Sequence, residues 1–167
     1  MSFTQSIKTC LSKYLVFSGR ASRSEYWWFV LFIVLASVAI SILDLTLLGT
    51  DQENGQGPNS PNSIFHLVIF LPLLAAGWRR LHDTGRPGWY LLAPVAFSVA
   101  TMIILLTGVA VFSASGEDSE AIRSAAAFIG VTGMIIMYAI QLALSVLMIW
   151  WLTRPSQEGT NSYGAQS

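Results

Sequence analysis

Long stretches without a charged residue alternate with short polar segments along this chain of 167 residues. Residues 26–43, 89–115 and 124–153 form uncharged runs of 18, 27 and 30 residues, and residues 64–78 form a mostly apolar run of 15. A helix needs about 20 mostly apolar residues to cross the hydrocarbon core of a bilayer. Three runs therefore predict spanning helices by length alone. The fourth predicts a span that borrows length from its polar flanks, because arginine side chains at its end can snorkel to the headgroups.

The N-terminal residues show a different periodicity. Apolar residues recur there at helical spacing: Phe3, Ile7, Leu11 and Tyr14. This pattern is typical of an amphipathic helix that lies on a membrane surface. Further along, Ser22 and Glu25 stand three residues apart directly before an apolar run. That spacing is the capping-box pattern, so we expect the first span to begin near Arg23.

These patterns predict an all-α membrane protein with four transmembrane helices and an N-terminal interfacial amphipathic helix. We expect an interfacial helix at 1–18, a transmembrane domain at 19–153 and a cytoplasmic tail at 154–167. Within the domain, we expect the spans at about 24–48, 62–80, 89–113 and 126–152. The segment between the first two spans is rich in Gly, Pro, Asn and Ser, which favours an exposed connection. Pro72 predicts a kink in the second span.

Charged residues are scarce, at 11% of the chain, and their distribution matters more than their net charge of zero. In a four-span arrangement, eight of the nine basic residues fall on one side of the membrane, and Arg123 is the exception. The six tryptophans also fall at that end of the spans: Trp27, Trp28, Trp78, Trp89, Trp150 and Trp151. Basic loops face the cytoplasm, and indole rings prefer the headgroup level. Both termini are therefore predicted to be cytoplasmic.

Cys10 is the only cysteine, which excludes an intramolecular disulfide and a cysteine-based metal site. Since Cys10 precedes the first span, we expect a membrane-impermeant maleimide to label it only after lysis. The N-terminus lacks the apolar region and small-residue cleavage site of a signal peptide. We therefore expect the first span to be retained in the mature protein.

Three short motifs carry a resemblance to a known family: GRASRSEYW at 19–27, RRLHDTGRPGW at 79–89 and GTNSYG at 159–164. Together they resemble the signatures of the domain-of-unknown-function 805 family of bacterial inner membrane proteins. The resemblance extends over residues 19–164, which is almost the whole chain. It implies a small multi-span protein of the bacterial inner membrane with no agreed molecular activity.

The first two motifs supply a candidate binding site at the cytoplasmic ends of the spans. The residues predicted to bind an anionic lipid or a phosphate are Arg20, Arg23, Arg79, Arg80 and Arg86. The candidate orienting groups are Glu25, His82 and Asp83. Guanidinium groups bind phosphate bidentately, and basic pockets at this face bind lipid headgroups. Alternatively, the arginines only anchor the topology, with Asp83 pairing with Arg79 four residues before it.

Catalytic interpretations of the same segment have weaker support. The triplet Asp-Thr-Gly at 83–85 matches the short aspartic-protease signature, but that chemistry needs two carboxylates sharing a proton on a β-scaffold. His82 beside Asp83 could begin a metal site, yet the other histidine, His66, belongs to the opposite membrane face. The sequence contains no phosphate-binding glycine loop and no Gly-x-Ser-x-Gly motif. We therefore expect no enzymatic activity, no metal and no cofactor.

Few polar residues lie inside the predicted spans, and Gln141 is the strongly polar one near a span's middle. It predicts either an interhelical hydrogen bond or part of a polar path. We expect a binding or scaffolding protein that engages anionic lipid of the cytoplasmic leaflet or a membrane protein partner, and no nucleic acid. The alternative is a small oligomeric transporter or channel subunit, followed by an intramembrane enzyme. Small residues that favour packing or homo-oligomerisation lie nearby: Ala139, Ala143 and Ser145.

Overall fold

The computed structural model describes residues 1–47, 61–114 and 120–165. Within these residues the chain forms five α-helices: α1 (Phe3–Ser12), α2 (Arg23–Leu47), α3 (Pro61–Asp83), α4 (Ala93–Ala114) and α5 (Glu120–Thr153). A short 3-10 helix, Gly88–Leu92, precedes α4. The predicted connection between the first two spans, and the acidic segment around Glu117, lie outside the described residues.

Four stretches of the described helices are long and apolar enough to cross a membrane: Arg23–Asp44, Pro61–Asp83, Gly88–Ser113 and Ala127–Thr153. The predicted all-α fold with four transmembrane helices is confirmed. The second of these helices continues through Pro72 and extends to Asp83, beyond the expected end at residue 80. The charged residues Arg79, Arg80 and Asp83 therefore lie within α3, near its end, and not in the loop that follows.

Helix α1 begins with a complete capping box. The backbone amide of Gln5 donates to Ser2 Oγ at 3.4 Å, and the backbone amide of Ser2 donates to Gln5 Oε1 at 3.2 Å. The helix packs on α2 and α3 through Ser6 and Cys10, both fully buried, whereas Leu11 of the predicted apolar stripe is 41% exposed. Small side chains face the neighbouring helices because they allow the backbones to approach closely.

Helix α2 begins where the capping pattern predicts, but only half of the box forms. Ser22 Oγ accepts from the Glu25 amide at 3.3 Å, as an N-cap should. The Glu25 carboxylate does not return to the Ser22 backbone and instead pairs with Arg79 of α3. The core beside it combines residues of α1, α2 and α3: Cys10, Phe29, Ile33, Ile69 and Ala76.

Helix α3 ends in a Schellman motif that depends on a glycine. The Arg86 amide donates to Leu81 O at 3.0 Å and the Gly85 amide to His82 O at 3.0 Å. Gly85 has φ +76°, a conformation that side-chain-bearing residues rarely adopt. Position 88 needs a glycine for a different reason. A Cβ there would overlap the indole ring of Trp78.

The described chain divides into two compact units, Met1–Gly88 with Leu152–Ser167, and Trp89–Trp151. The first contains the core and most of the buried charged residues. The second contains α4 and most of α5, whose apolar side chains are largely exposed: Val99, Met102, Ile103, Ile129, Ile135 and Tyr138. Helices that present apolar side chains outward in this way suit a lipid environment.

Candidate functional site: an arginine cluster and the C-terminal tail

Five charged residues of the first unit are buried together. They are Arg20, Glu25, Arg79, Arg80 and Asp83, each no more than 5% exposed, and we call them the arginine cluster. Arg20 lies just before α2, Glu25 lies in the first turn of α2, and the others lie near the end of α3. Three guanidinium groups and two carboxylates leave a net charge of +1 if all are ionised. Groups of this kind are rarely buried unless they are paired.

Ion pairs join the cluster across the two helices. Asp83 Oδ1 accepts from Arg20 Nε at 2.9 Å, and Asp83 Oδ2 accepts from Arg80 Nη1. Glu25 Oε1 accepts from Arg79 Nη1 at 2.9 Å. Each carboxylate is therefore bound by at least one guanidinium in a buried site.

The predicted pairing of Asp83 with Arg79 is wrong. Residues four apart lie on the same helix face, but Arg79 turns toward α2, where the buried Glu25 carboxylate would otherwise lack a cation. Arg79 Nε donates to Ala75 O at 3.3 Å, which fixes this orientation. Asp83 faces Arg20 and Arg80 instead.

The expectation that the arginines at the end of α3 snorkel to the headgroups is also wrong. Arg79 is 1% exposed and Arg80 is fully buried. The Arg80 guanidinium is bonded inside the protein, and so are Nε and Nη1 of Arg79, whereas Arg79 Nη2 is buried without a hydrogen-bond partner among the described residues. The helix end itself is covered by other parts of the chain.

The donors of Arg20 that do not face Asp83 hold the C-terminal segment 154–165, which we call the tail. Arg20 Nη1 donates to Gly159 O at 2.6 Å and to Gly164 O at 3.4 Å, and Nη2 donates to Gln157 O. The side chain thus bonds to three backbone carbonyls of the tail. Charge-assisted bonds of this kind are stronger than bonds between neutral groups.

Arg80 binds the chain at the point where α5 ends and the tail begins. Its Nε donates to Leu152 O at 3.0 Å, its Nη2 donates to Arg154 O, and its Nη1 lies 3.3 Å from Ser156 Oγ. The last carbonyls of a helix have no partner within the helix. Arg80 supplies that partner from α3.

The tail is fixed by contacts of its own as well. The backbone amide of Gln157 donates to Asp83 O at 2.9 Å, and Asn161 Nδ2 donates to His82 O at 2.9 Å. The Tyr163 ring stacks on the His82 imidazole, with centroids 3.8 Å apart and planes at 6°. The motif GTNSYG therefore packs against the motif RRLHDTGRPGW, and Arg20 of the first motif joins both.

The two remaining candidate arginines lie outside the cluster. Arg23 is exposed, and its Nη1 donates to Thr153 O at 3.3 Å. Arg86 is partly exposed, and its Nη1 donates to Thr84 O at 3.3 Å. The five arginines grouped by the sequence thus separate into three buried residues and two at the rim.

Cys10 and three tail residues belong to this site, although the sequence analysis did not assign them to it. Cys10 Sγ lies 3.9 Å from Glu25 Oε1. Burial, and next the Glu25 carboxylate, raise the pKa of the Cys10 thiol from 9.0 to about 12. Gln157, Asn161 and Tyr163 have no chemical signature as single residues, and only the GTNSYG motif marked two of them.

Side chains that could bind a metal are dispersed in the part of the chain that is described. No group of three or more His, Cys, Asp or Glu side chains lies close enough there to hold an ion. His82 Nδ1 lies 3.2 Å from Gly19 O, and His66 Nε2 lies 3.1 Å from Ser37 Oγ, toward the other end of α3.

The second unit contains a separate cavity of about 530 Å³ between α4 and α5. Its polar lining includes Ser98, Thr101 and Gln141. Gln141 Oε1 is buried, and no described residue donates a hydrogen bond to it. The interhelical hydrogen bond that we expected is therefore not made by this oxygen.

Four membrane-crossing helices, an amphipathic N-terminal helix and a buried arginine cluster define a small α-helical membrane protein. Residues 14–165 match the family described as "Protein of unknown function (DUF805)", and the chain belongs to that family. This confirms the resemblance drawn from the three motifs. The chain is thus an integral inner membrane protein.

Two relatives come from Escherichia coli (strain K12). "Inner membrane protein YhaH" is 35% identical over 96 residues, which cover 58% of this chain and 77% of the relative. "Inner membrane protein YhaI" is 38% identical over 99 residues, which cover 58% of this chain and 75% of the relative. No solved structure matches the chain significantly.

Proposed function

We propose that this protein is a binding or scaffolding protein of the inner membrane, and that its working surface is the platform formed by the arginine cluster and the tail. The observation that carries the proposal is that two buried arginines bond to backbone carbonyls of the tail, Arg20 to Gly159 O and Arg80 to Arg154 O. These bonds end on main-chain atoms and not on side chains. They therefore fix the path of the tail backbone. A segment held in this way presents one defined surface.

The geometry favours a partner protein over an anion at the cluster itself. The donors of Arg20 and Arg80 are engaged by Asp83 and by the tail, so a phosphate would have to displace both. The outer side of the tail remains exposed at Glu158, Thr160 and Ser162. A membrane protein partner would contact these residues while the cluster keeps them in place.

We place the platform on the cytoplasmic side, with both termini. This orientation is supported by the eight basic residues on one side of the four spans and by the six tryptophans at the same ends. The partners that we propose are therefore anionic lipid of the cytoplasmic leaflet and a protein of the same membrane. Any catalytic role is disfavoured, because Asp83 is bound by two arginines and His82 is covered by Tyr163.

A photo-crosslinking amino acid at Thr160 tests the platform in intact membranes. We expect a specific adduct that weakens in a Tyr163→Ala variant, whose tail is loosened, and persists in Tyr163→Phe, which keeps the ring stack. The same crosslinker at Thr4, exposed on α1, reports adducts that do not depend on the tail. The proposal fails if Thr160 gives no adduct, or if Tyr163→Ala leaves the adduct unchanged.

A small oligomeric transporter or channel subunit is the second candidate, and the cavity in the second unit favours it. The buried Gln141 Oε1 and the hydroxyls of Ser98 and Thr101 line this cavity. A polar path would need more such groups than one chain supplies, hence a homo-oligomer. Solute flux into proteoliposomes that falls in Gln141→Leu would support transport, and absence of flux over a broad solute panel would exclude it.

A further inference from the structure

A surface groove of about 520 Å³ opens at the start of α2, apart from the arginine cluster. It is lined by Arg23, Ser24, Trp27, Trp28, Leu31 and Thr153. One end is polar, where the Arg23 guanidinium meets the Thr153 carbonyl. The other end is apolar, and its three side chains are 36 to 40% exposed.

The lining residues follow the axis of α2. Arg23, Trp27 and Leu31 are spaced four apart, so they form one stripe on the helix surface. At 1.5 Å per residue, Leu31 lies about 12 Å deeper along the axis than Arg23. The groove thus runs from the charged end of the helix toward the membrane interior.

We propose that this groove binds one anionic phospholipid, with its phosphate at Arg23 and an acyl chain along Trp27 and Leu31. The inference rests on the orientation proposed above, which places α2's first turn in the cytoplasmic leaflet, but it does not depend on the tail platform. Guanidinium groups bind phosphate bidentately, and tryptophan rings settle at the headgroup level. Each end of the groove therefore matches one part of a phospholipid.

The charges around the groove favour an anionic headgroup. Its lining contains one guanidinium and no carboxylate. Glu25, in the same turn of α2, is turned inward to Arg79 and is 2% exposed. No lining residue therefore neutralises the positive charge of Arg23. An anionic headgroup would do so, whereas a zwitterionic lipid would also bring its cationic group close to Arg23.

Arg23 suits this role better than the other candidate arginines. Arg20, Arg79 and Arg80 are buried and bound within the protein. Arg86 lies in the turn after α3 and does not line the groove. A charge at the membrane surface attracts anionic lipid by about 1 kcal/mol, and the bidentate geometry adds to this.

Native mass spectrometry of the full chain in mild detergent tests the site. We expect the wild-type protein, given equal phosphatidylglycerol and phosphatidylcholine, to retain one phosphatidylglycerol with about a fivefold or greater preference. Arg23→Gln should abolish the preference and Arg23→Lys should keep part of it. Arg86→Gln, the same change of charge outside the groove, should retain it.

Two further measurements keep the test decisive. Trp27→Ala removes an apolar wall without changing charge and should lower retention of phosphatidylglycerol about threefold, which covers the case of an unstable Arg23 variant. Excess soluble glycerol phosphate should fail to displace the lipid, because it lacks the acyl chain. The site is disproved if Arg23→Gln binds as the wild type does, if Arg86→Gln loses as much, or if the soluble headgroup displaces the lipid. The Thr160 adduct is scored separately, so failure of one proposal leaves the other intact.

Discussion

Asp83 lies 63 positions after Arg20 in the sequence, and its Oδ1 accepts a hydrogen bond from Arg20 Nε at 2.9 Å. Its other carboxylate oxygen accepts from Arg80. Side chains on all three residues are fully shielded from solvent. One carboxylate thus compensates two guanidinium groups that would otherwise be isolated charges in the protein interior.

Asp83→Asn should therefore destabilise the protein strongly. Removing one partner of a buried ion pair leaves an uncompensated charge and costs about 3–5 kcal/mol. Thermal unfolding in detergent, followed by circular dichroism, measures the loss. Asp44→Asn makes the same change of charge at the far end of the first span, where Asp44 is partly exposed, and should have little effect. Equal losses in the two variants would contradict the role assigned to Asp83.

Tyr163→Ala should loosen the tail without unfolding the helices. The stack on His82 is lost, and aromatic pairs of this kind contribute about 0.5–1.5 kcal/mol. Cleavage by a glutamyl endopeptidase at the exposed Glu158 should accelerate several-fold. Tyr163→Phe keeps the ring and should be cut at the wild-type rate. If the alanine variant is cleaved at the wild-type rate, the ring stack does not hold the tail.

Cys10 should resist a maleimide even after lysis, contrary to the expectation from its position. The thiol is fully buried, and its pKa of about 12 leaves almost no thiolate at neutral pH. Mass spectrometry should detect labelling only after denaturation. Labelling of the folded protein in detergent would contradict the packing of α1.

Topology needs a different thiol for the same reason. Thr160→Cys in a Cys10→Ser background places an exposed thiol on the tail. We expect it to escape an impermeant maleimide in intact spheroplasts and to react after lysis. Labelling in intact spheroplasts would reverse the proposed orientation.

The buried thiol also predicts a pH dependence of stability. The unfolded thiol ionises near pH 9.0 and the folded thiol near pH 12, so the folded state holds the proton more tightly. The stability from Cys10 is fully present below pH 9 and is lost as the pH rises toward about 12. Chemical denaturation across this range should show a steeper fall for the wild type than for Cys10→Ser, which has no titrating group there. Parallel curves would contradict the shift.

Gly88→Ala should be destabilising because of packing. A Cβ at this position overlaps the Trp78 ring, and overpacking typically costs about 1–3 kcal/mol. Gly108→Ala is the matched control, since a Cβ on that face of α4 meets no atom within 4 Å. Thermal unfolding should separate the two variants, and equal stability would mean that Trp78 moves aside freely.

The parts of the site that could be predicted were those with a local signal. Ser22 marked the start of α2, because helix capping involves residues close in sequence. The predicted Arg79–Asp83 pair failed although its spacing was correct. The competing partner, Glu25, lies on another helix, and helical spacing carries no information about it.

The sequence by itself determined the four spans, the boundary of α2 and the family, because run length, capping spacing and short motifs are properties of contiguous residues. Only the tertiary structure decided which arginines are buried and what they bind. Five arginines look alike in the sequence, but burial makes three of them bind Asp83, Glu25 and the tail, while Arg23 remains at the surface. The physical reason is that a guanidinium entering the interior must find its partners there, and those partners come from distant parts of the chain.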